Sequence, residues 1–91
     1  MNETPALPVF TADPAARVNA YRELDAALAA LLAGEHDPIA NLANTAALIF
    51  QALPNLNWAG FYLWHADARD GQGELVLGPF QGKPEIGRAH V

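Results

Sequence analysis

The first half of the chain has the hydrophobic pattern of two amphipathic helices. Asp13-Pro14 marks the start of the first, because an aspartate accepts hydrogen bonds from the free amides of the first turn and a proline there sacrifices none. Gly34 is a typical helix stop. The apolar face keeps the three-and-four spacing of a helix and consists of Val18, Tyr21, Leu24, Leu28, Leu31 and Leu32.

The second helix begins with the same signal at Asp37-Pro38 and ends before Pro54. Its apolar stripe is formed by Ile39, Leu42, Ala46, Ile49 and Leu53. The repeated Asp-Pro is too short a similarity to indicate an internal duplication.

Two β-strands are predicted after Pro54. The run from Trp58 to Trp64 is rich in aromatic residues on both alternating faces, and β character resumes from Glu74 to Phe80. The polar stretch between them contains Asp70-Gly71 and Gly73, which adopt the positive φ angles of a reversing loop. We therefore predict an antiparallel hairpin.

The predicted class is α+β, with two N-terminal helices followed by a hairpin of an incomplete sheet. Residues 1–12, with Pro5 and Pro8 and no periodicity, indicate a flexible leader. A hairpin with two helices on it leaves one side of the sheet uncovered, so further strands are expected. With 91 residues, the chain forms one domain at most.

The charge pattern argues against two classes of partner. The net charge is −5 and the five basic residues are scattered, so no stripe tracks a phosphate backbone and nucleic acid is not expected. No apolar run reaches the roughly 18 residues of a membrane span, and the N-terminus lacks signal-peptide features. We expect a cytoplasmic protein that does not bind a membrane.

Candidate catalytic residues are scarce. The sequence has no Cys and no Ser, and the three His residues, His36, His65 and His90, show no metal-ligand spacing. Asp67, Asp70 and Glu74 are expected to keep the hairpin loop solvated rather than to act as acids or bases. We therefore predict no catalytic residue, no metal site and no cofactor in this chain.

Three runs resemble a known family. Asn41 to Ile49 (NLANTAALI), Asn57 to Leu63 (NWAGFYL) and Leu75 to Pro84 (LVLGPFQGKP) closely resemble the N-terminal half of the free methionine-(R)-sulfoxide reductases, which are stand-alone GAF domains. The similarity covers roughly residues 15 to 84, and the last two runs together are much more specific than a lone glycine motif. Residues 13–84 are thus expected to be the N-terminal half of a GAF domain.

The resemblance implies a reaction and two partners. A cysteine thiolate attacks the sulfur of free L-methionine (R)-S-oxide, methionine leaves, and a second cysteine captures the resulting sulfenic acid as a disulfide that thioredoxin reduces. The family also implies a homodimer to which the first helix contributes.

The sequence departs from the family where its chemistry begins. The family has its first functional cysteine a residue or two beyond Gly-Lys-Pro, where this chain has Glu85 and Ile86. The other cysteines and the acidic residues that hold the substrate's amino group lie beyond residue 91. The polypeptide as it stands is therefore expected to be inactive.

The resemblance assigns substrate-lining positions to Trp58 and Tyr62. Four residues apart on one strand, they point to the same face with a backbone separation of about 13 Å, and a small zwitterion with a methyl group suits the space between two aromatic faces. Packing in the core is the other interpretation. Gly60, between them, either leaves room for a ligand or marks a bulge or a helix contact.

The last six residues, Ile86 to Val91, match neither the family nor a continued strand pattern. They are the translation of ATC GGA AGA GCA CAC GTC, one reading frame of a common short-read sequencing adapter. We therefore expect residues 85–91 to be a non-native tail, with the natural gene continuing from about residue 85.

Three functions remain open on the sequence. The first is a fragment of a thiol-dependent oxidoreductase, and the second is a sensory GAF module that binds a small ligand without catalysis. The third is a helical dimerisation segment without a ligand. Cysteine codons after Pro84 in the full gene favour the first, whereas a cysteine-free domain joined to a kinase or cyclase favours the second.

Overall fold

The computed structural model describes residues 7–89. Two helices are followed by three strands: α1 (Pro14–Leu32), α2 (Pro38–Ala52), β1 (Trp58–His65), β2 (Glu74–Gly82) and β3 (Arg88–Ala89). The predicted α+β class, with its two helices and antiparallel hairpin, is confirmed.

Both helices begin at the predicted caps. The side chain of Asp13 accepts a hydrogen bond from the amide of Ala16 at 3.3 Å. Asp37 accepts two, from Ile39 at 2.8 Å and from Ala40 at 3.2 Å. A proline occupies the first turn in each case, where its missing N–H leaves no bond unmade.

Helix α1 is buried most deeply along one edge of its predicted apolar face. Ala20 and Ala27 are its buried residues, whereas Val18 and Tyr21 remain 52 % and 49 % exposed. Small alanines allow two helices to approach closely, and α1 packs on α2 alone among the described elements. Val18 and Tyr21 are therefore left at the surface of α1, whereas the leucines of the predicted face are half-buried.

Helix α2 links α1 to the sheet. It contacts both β1 and β2, and its buried residues are Ala46, Leu48 and Ala52. In β1 the buried residue is Ala59, which alternation places on the face opposite Trp58. The molecule thus has three layers, in which α2 lies between α1 and one face of the sheet.

The hairpin contains a β-bulge next to Gly60, one of the alternatives that the sequence left open for this residue. Gly60 pairs with Phe80 and Tyr62 pairs with Leu77, so Phe61 alone faces the two residues Gly78 and Pro79. Proline has no N–H for the ladder, and a bulge is one of the few places where a sheet accepts it. The bulge fixes which side chains of β1 and β2 meet on the open face.

A third strand lies in the segment that we expected to have no strand pattern. Leu75 pairs with Ala89 and Val76 with Arg88, giving the strand order β1-β2-β3. The Leu77 amide also donates to the carbonyl of Gly87 at 2.8 Å. The tail therefore continues the sheet for two residues beyond the predicted hairpin.

The ends of the chain lie partly outside the described residues. Of the predicted leader, residues 7–12 are described. There Pro8 is buried, and the Phe10 ring meets that of Tyr21 edge-on at 4.9 Å.

Within residues 7–89, neither helix has the length and apolar character needed to cross a membrane.

Candidate functional site

Trp58 and Tyr62 form a stacked aromatic pair on the face of the sheet opposite Ala59. Their ring centroids are 6.1 Å apart and the ring planes differ by 26°. A ligand between two rings needs about 3.5 to 4 Å on each side. The expectation of a small zwitterion lodged between the two rings is therefore not met in this geometry, because the rings already lie against each other.

Phe80 is a third member of this cluster. Its ring also stacks with the Trp58 indole, with centroids 5.8 Å apart and planes 16° from parallel. We call the row Phe80–Trp58–Tyr62 the aromatic wall. Phe80 lies within the LVLGPFQG run, where nothing in the residue pattern singles out its side chain, because the stack depends on the register between β1 and β2.

Gly60 is required by the close approach of the two strands. A Cβ at this position would meet the Cβ of Phe80 and lie 2.7 Å from its Cα and 2.8 Å from the carbonyl oxygen of Pro79. These distances are far inside ordinary van der Waals contact. Phe80 lies beside Gly60 in this structure, and the bulge, one of the alternatives left open for Gly60, fits the pairing. A substrate contact at Gly60 stays a prediction.

Two polar groups of the aromatic wall can donate hydrogen bonds. The Trp58 Nε1–H is buried and has no hydrogen-bond acceptor among the described residues. Indole nitrogen only donates, and an unsatisfied buried donor costs about 1 to 3 kcal/mol, so such a group calls for an explanation. The Tyr62 hydroxyl donates to the backbone carbonyl of Ile86 at 2.5 Å.

The segment after Pro84 runs beside Tyr62. Its place is set by the hydrogen bond from Tyr62 to Ile86 and by the one from Leu77 to Gly87. The side chain of Ile86 is exposed, with 74 % of its surface accessible. The positions where the resemblance implies a first functional cysteine thus lie next to the aromatic wall.

Glu74 differs from the expectation of a solvated loop residue. It is the first residue of β2, is only 6 % exposed, and lies 3.4 Å from a guanidinium nitrogen of Arg88. Asp67 and Asp70 are exposed, as expected. The buried Glu74 carboxylate thus forms an ion pair with Arg88 of the neighbouring strand, and this pair links β2 to β3.

Among the described residues, the histidines that the sequence singled out do not converge on a common site. His36 and His65 are exposed, and His90 lies outside the described residues. Within residues 7–89, no three side chains of the metal-ligating types converge on one point.

A cavity of about 490 Å³ lies away from the aromatic wall, between the segment before α1 and the turn after α2, with Arg17 and Tyr21 in its lining.

Comparisons with known proteins agree with the resemblance. The free methionine-R-sulfoxide reductase of Escherichia coli is 51 % identical over 63 residues, which are 69 % of this chain and 34 % of that protein. A solved structure of the reductase of that name from Neisseria meningitidis, in complex with its substrate, has 39 % identity and a TM-score of 0.72. That similarity covers 93 % of this chain and 46 % of that one.

The fold class has independent support. A solved GAF domain matches with a TM-score of 0.61 and 34 % identity over 76 % of this chain and 40 % of its own length. No protein-family model matches. The chain spans less than half the length of each of these relatives. The predicted resemblance and the partial GAF fold are confirmed.

Proposed function

We propose that this chain, a homologue of the N-terminal part of the free methionine-(R)-sulfoxide reductases, supplies one wall of the substrate pocket in such an enzyme. The observation that carries the proposal is the aromatic wall, which contains Trp58 and Tyr62, the two positions that the resemblance assigns to the substrate pocket. Reacting thiol and substrate must meet at about 3 to 3.5 Å. In the whole enzyme the aromatic wall holds the substrate for that approach.

The ligand packs against the aromatic wall rather than within it. Aromatic faces and edges favour sulfur and methyl groups, with a sulfur about 5 Å from a ring. The free Trp58 Nε1–H is a donor for an oxygen acceptor, which a sulfoxide has and a thioether lacks. Both features fit free methionine (R)-sulfoxide as the substrate.

The whole enzyme, in this proposal, reduces its substrate with two cysteines. One thiolate attacks the sulfoxide sulfur, methionine departs, and the sulfenic acid condenses with a second thiol to give a disulfide and water. Thioredoxin reduces that disulfide in the cytoplasm. The 91 residues include no cysteine, so this chain by itself binds ligand without turnover.

The homodimer is part of the same proposal. Val18 and Tyr21 lie three positions apart on α1 and are about half exposed. Residues three apart share one helical face, so they form an apolar surface for a second copy of the helix.

The tail is proposed to be non-native, with the natural gene continuing from about residue 85. Its last six residues equal an adapter translation, and the pairing of Arg88 and Ala89 with β2 does not depend on their origin. Amplifying and re-sequencing the source locus tests this. Cysteine codons just after Pro84 and again downstream support it, and a genomic stop codon directly after these six codons contradicts it.

A ligand titration tests the proposed binding role. The chain has two tryptophans, so a ¹⁵N-labelled sample gives two indole signals, which Trp64→Phe assigns. Free L-methionine (R)-S-oxide should shift the Trp58 signal saturably, and methionine should shift it less because it has no sulfoxide oxygen. Equal responses to the two compounds would argue against the role of the Trp58 donor.

A non-catalytic sensor is the second candidate, because a solved structure described as a putative GAF sensor protein from Burkholderia vietnamiensis matches this chain with 45 % identity and a TM-score of 0.68. Such a module would bind a small ligand on the same aromatic wall without redox chemistry. The source gene separates the two candidates. A complete domain without cysteine, joined to a kinase or cyclase, supports the sensor and contradicts the reductase.

A further inference from the structure

In the aromatic wall the ring of Phe80 stacks with the Trp58 indole, and Phe80 has no assigned role. We propose that Phe80 is a positioning residue, which fixes the orientation of the Trp58 indole as a surface of the aromatic wall on which the ligand packs. This inference rests on the proposed binding role of Trp58. Its structural part, the dependence of the indole on Phe80, is independent of any ligand.

The cross-strand pairing explains how the two rings come to stack. Trp58 lies opposite Gly82, and Phe80 lies opposite Gly60. Each aromatic residue therefore faces a glycine, and neither ring is displaced by a side chain directly across the ladder. The rings meet along the diagonal between the two pairs, where large side chains on neighbouring strands reach each other.

The close strand approach leaves Phe80 little freedom to move away. Because residue 60 is a glycine, the β1 backbone can approach the backbone and side chain of Phe80 closely. A Cβ at this position would lie only 2.7 Å from the Phe80 Cα. The bulge at Gly78-Pro79 lies directly before Phe80 and sets its register. The backbone of the two paired strands thus fixes the position of Phe80. The Trp58 indole, by contrast, is positioned by its contacts with the Phe80 and Tyr62 rings.

Trp58 stacks with two rings. The Phe80 ring centroid lies 5.8 Å and the Tyr62 ring centroid 6.1 Å from that of the indole, with planes 16° and 26° from parallel. Rotation of the indole about its side-chain bonds would break both stacks. Removal of the Phe80 ring removes one stack and allows the indole, with its unpartnered Nε1–H, to leave the orientation seen here.

The test uses the full chain with ¹⁵N-labelled tryptophan. Phe80→Leu removes the ring, Phe80→Tyr retains it, and Leu75→Ala is the matched control on the same face of β2, because Leu75 takes part in none of the stacked pairs of the wall. The readouts are the indole signal of Trp58 and the affinity for free L-methionine (R)-S-oxide. Circular dichroism monitors the fold of every variant.

Phe80→Leu should displace the Trp58 indole signal, because a ring current is lost. It should also weaken sulfoxide binding about two- to tenfold, the fold-change equivalent of one aromatic pair. Phe80→Tyr should restore both readouts, and Leu75→Ala should change neither. Wild-type behaviour of Phe80→Leu, or equal effects of Phe80→Leu and Leu75→Ala, would overturn the inference.

A second variant keeps the test decisive if Phe80→Leu does not fold. Gly60→Ala retains all three rings and pushes Phe80 away through the clash described above, so it should displace the same signal. If the wild-type chain shows no response to the sulfoxide, the proposed binding role fails. Loss of the nuclear Overhauser contacts between the Trp58 indole and the Tyr62 ring in Phe80→Leu would still establish the dependence of Trp58 on Phe80, and their retention would contradict it.

Discussion

The six-membered ring of Trp64 occupies the space into which a side chain at Gly73 would project. A Cβ built on Gly73 would collide with the Cζ2 and Cη2 atoms of that ring. Gly73 is buried at the end of the loop between β1 and β2, and its φ is +87°. Its backbone angle therefore favours glycine, and any side chain at this position would displace the half-exposed Trp64 ring.

Gly73→Ala should destabilise the chain more than Gly71→Ala. Both glycines have nearly the same φ, +87° and +88°, but a Cβ at Gly71 would meet nothing within 4 Å. We expect about 1 to 2 kcal/mol from backbone strain at Gly71, and about 1 to 3 kcal/mol more at Gly73 from displacement of Trp64. Urea unfolding measures both, and equal losses would show that the Trp64 contact contributes nothing.

The two helix caps should differ in strength. Asp37 accepts two hydrogen bonds, the shorter at 2.8 Å, whereas Asp13 accepts one at 3.3 Å. Asp37→Ala should cost about 1 kcal/mol, within the usual range of 0.5 to 2 kcal/mol for a lost cap, and Asp13→Ala should cost less. Thermal melts followed by circular dichroism compare them. A larger loss for Asp13→Ala would contradict the cap geometry.

The local elements could be predicted from the sequence, because their signals are local. Asp-Pro at residues 13 and 37 places both helix starts, and alternation with a polar loop places the hairpin. Which edge of the apolar face of α1 is buried most deeply could not be predicted in this way. Ala20 and Ala27 face inward because small residues allow close helix packing, a property of the partner helix as much as of α1.

The composition of the aromatic wall depends on register. Trp58 and Tyr62 are marked by the resemblance, but the partner of Trp58 on β2 depends on the bulge at Gly78-Pro79. A one-residue change of register would move every β2 side chain to the other face. Phe80 therefore emerges only from the three-dimensional structure, as does its close approach to Gly60.

Val18→Glu should weaken self-association of the chain. Val18 is 52 % exposed on the α1 face proposed for the dimer, and a carboxylate would have to be desolvated or repelled there. Asn19→Glu adds the same charge at an exposed position about 100° around the helix. Light scattering after gel filtration measures the mass, and equal behaviour of the two variants would exclude this face from the interface.

The chain as it stands should not reduce methionine sulfoxide. Thiol chemistry needs a cysteine, and the 91 residues contain none. Incubation with free L-methionine (R)-S-oxide and dithiothreitol, followed by quantification of methionine, should match the rate without protein. Turnover above that rate would overthrow the cysteine mechanism.

A chimera tests the central claim most directly. Residues 1–84 are joined to the remaining C-terminal part of the Escherichia coli reductase, and reduction of free L-methionine (R)-S-oxide is measured with thioredoxin. The chimera should be active, and Trp58→Ala should lower its kcat/KM at least tenfold, or about 1.4 kcal/mol. A folded chimera without activity, or one whose activity is indifferent to Trp58→Ala, would contradict the aromatic wall as part of the substrate pocket.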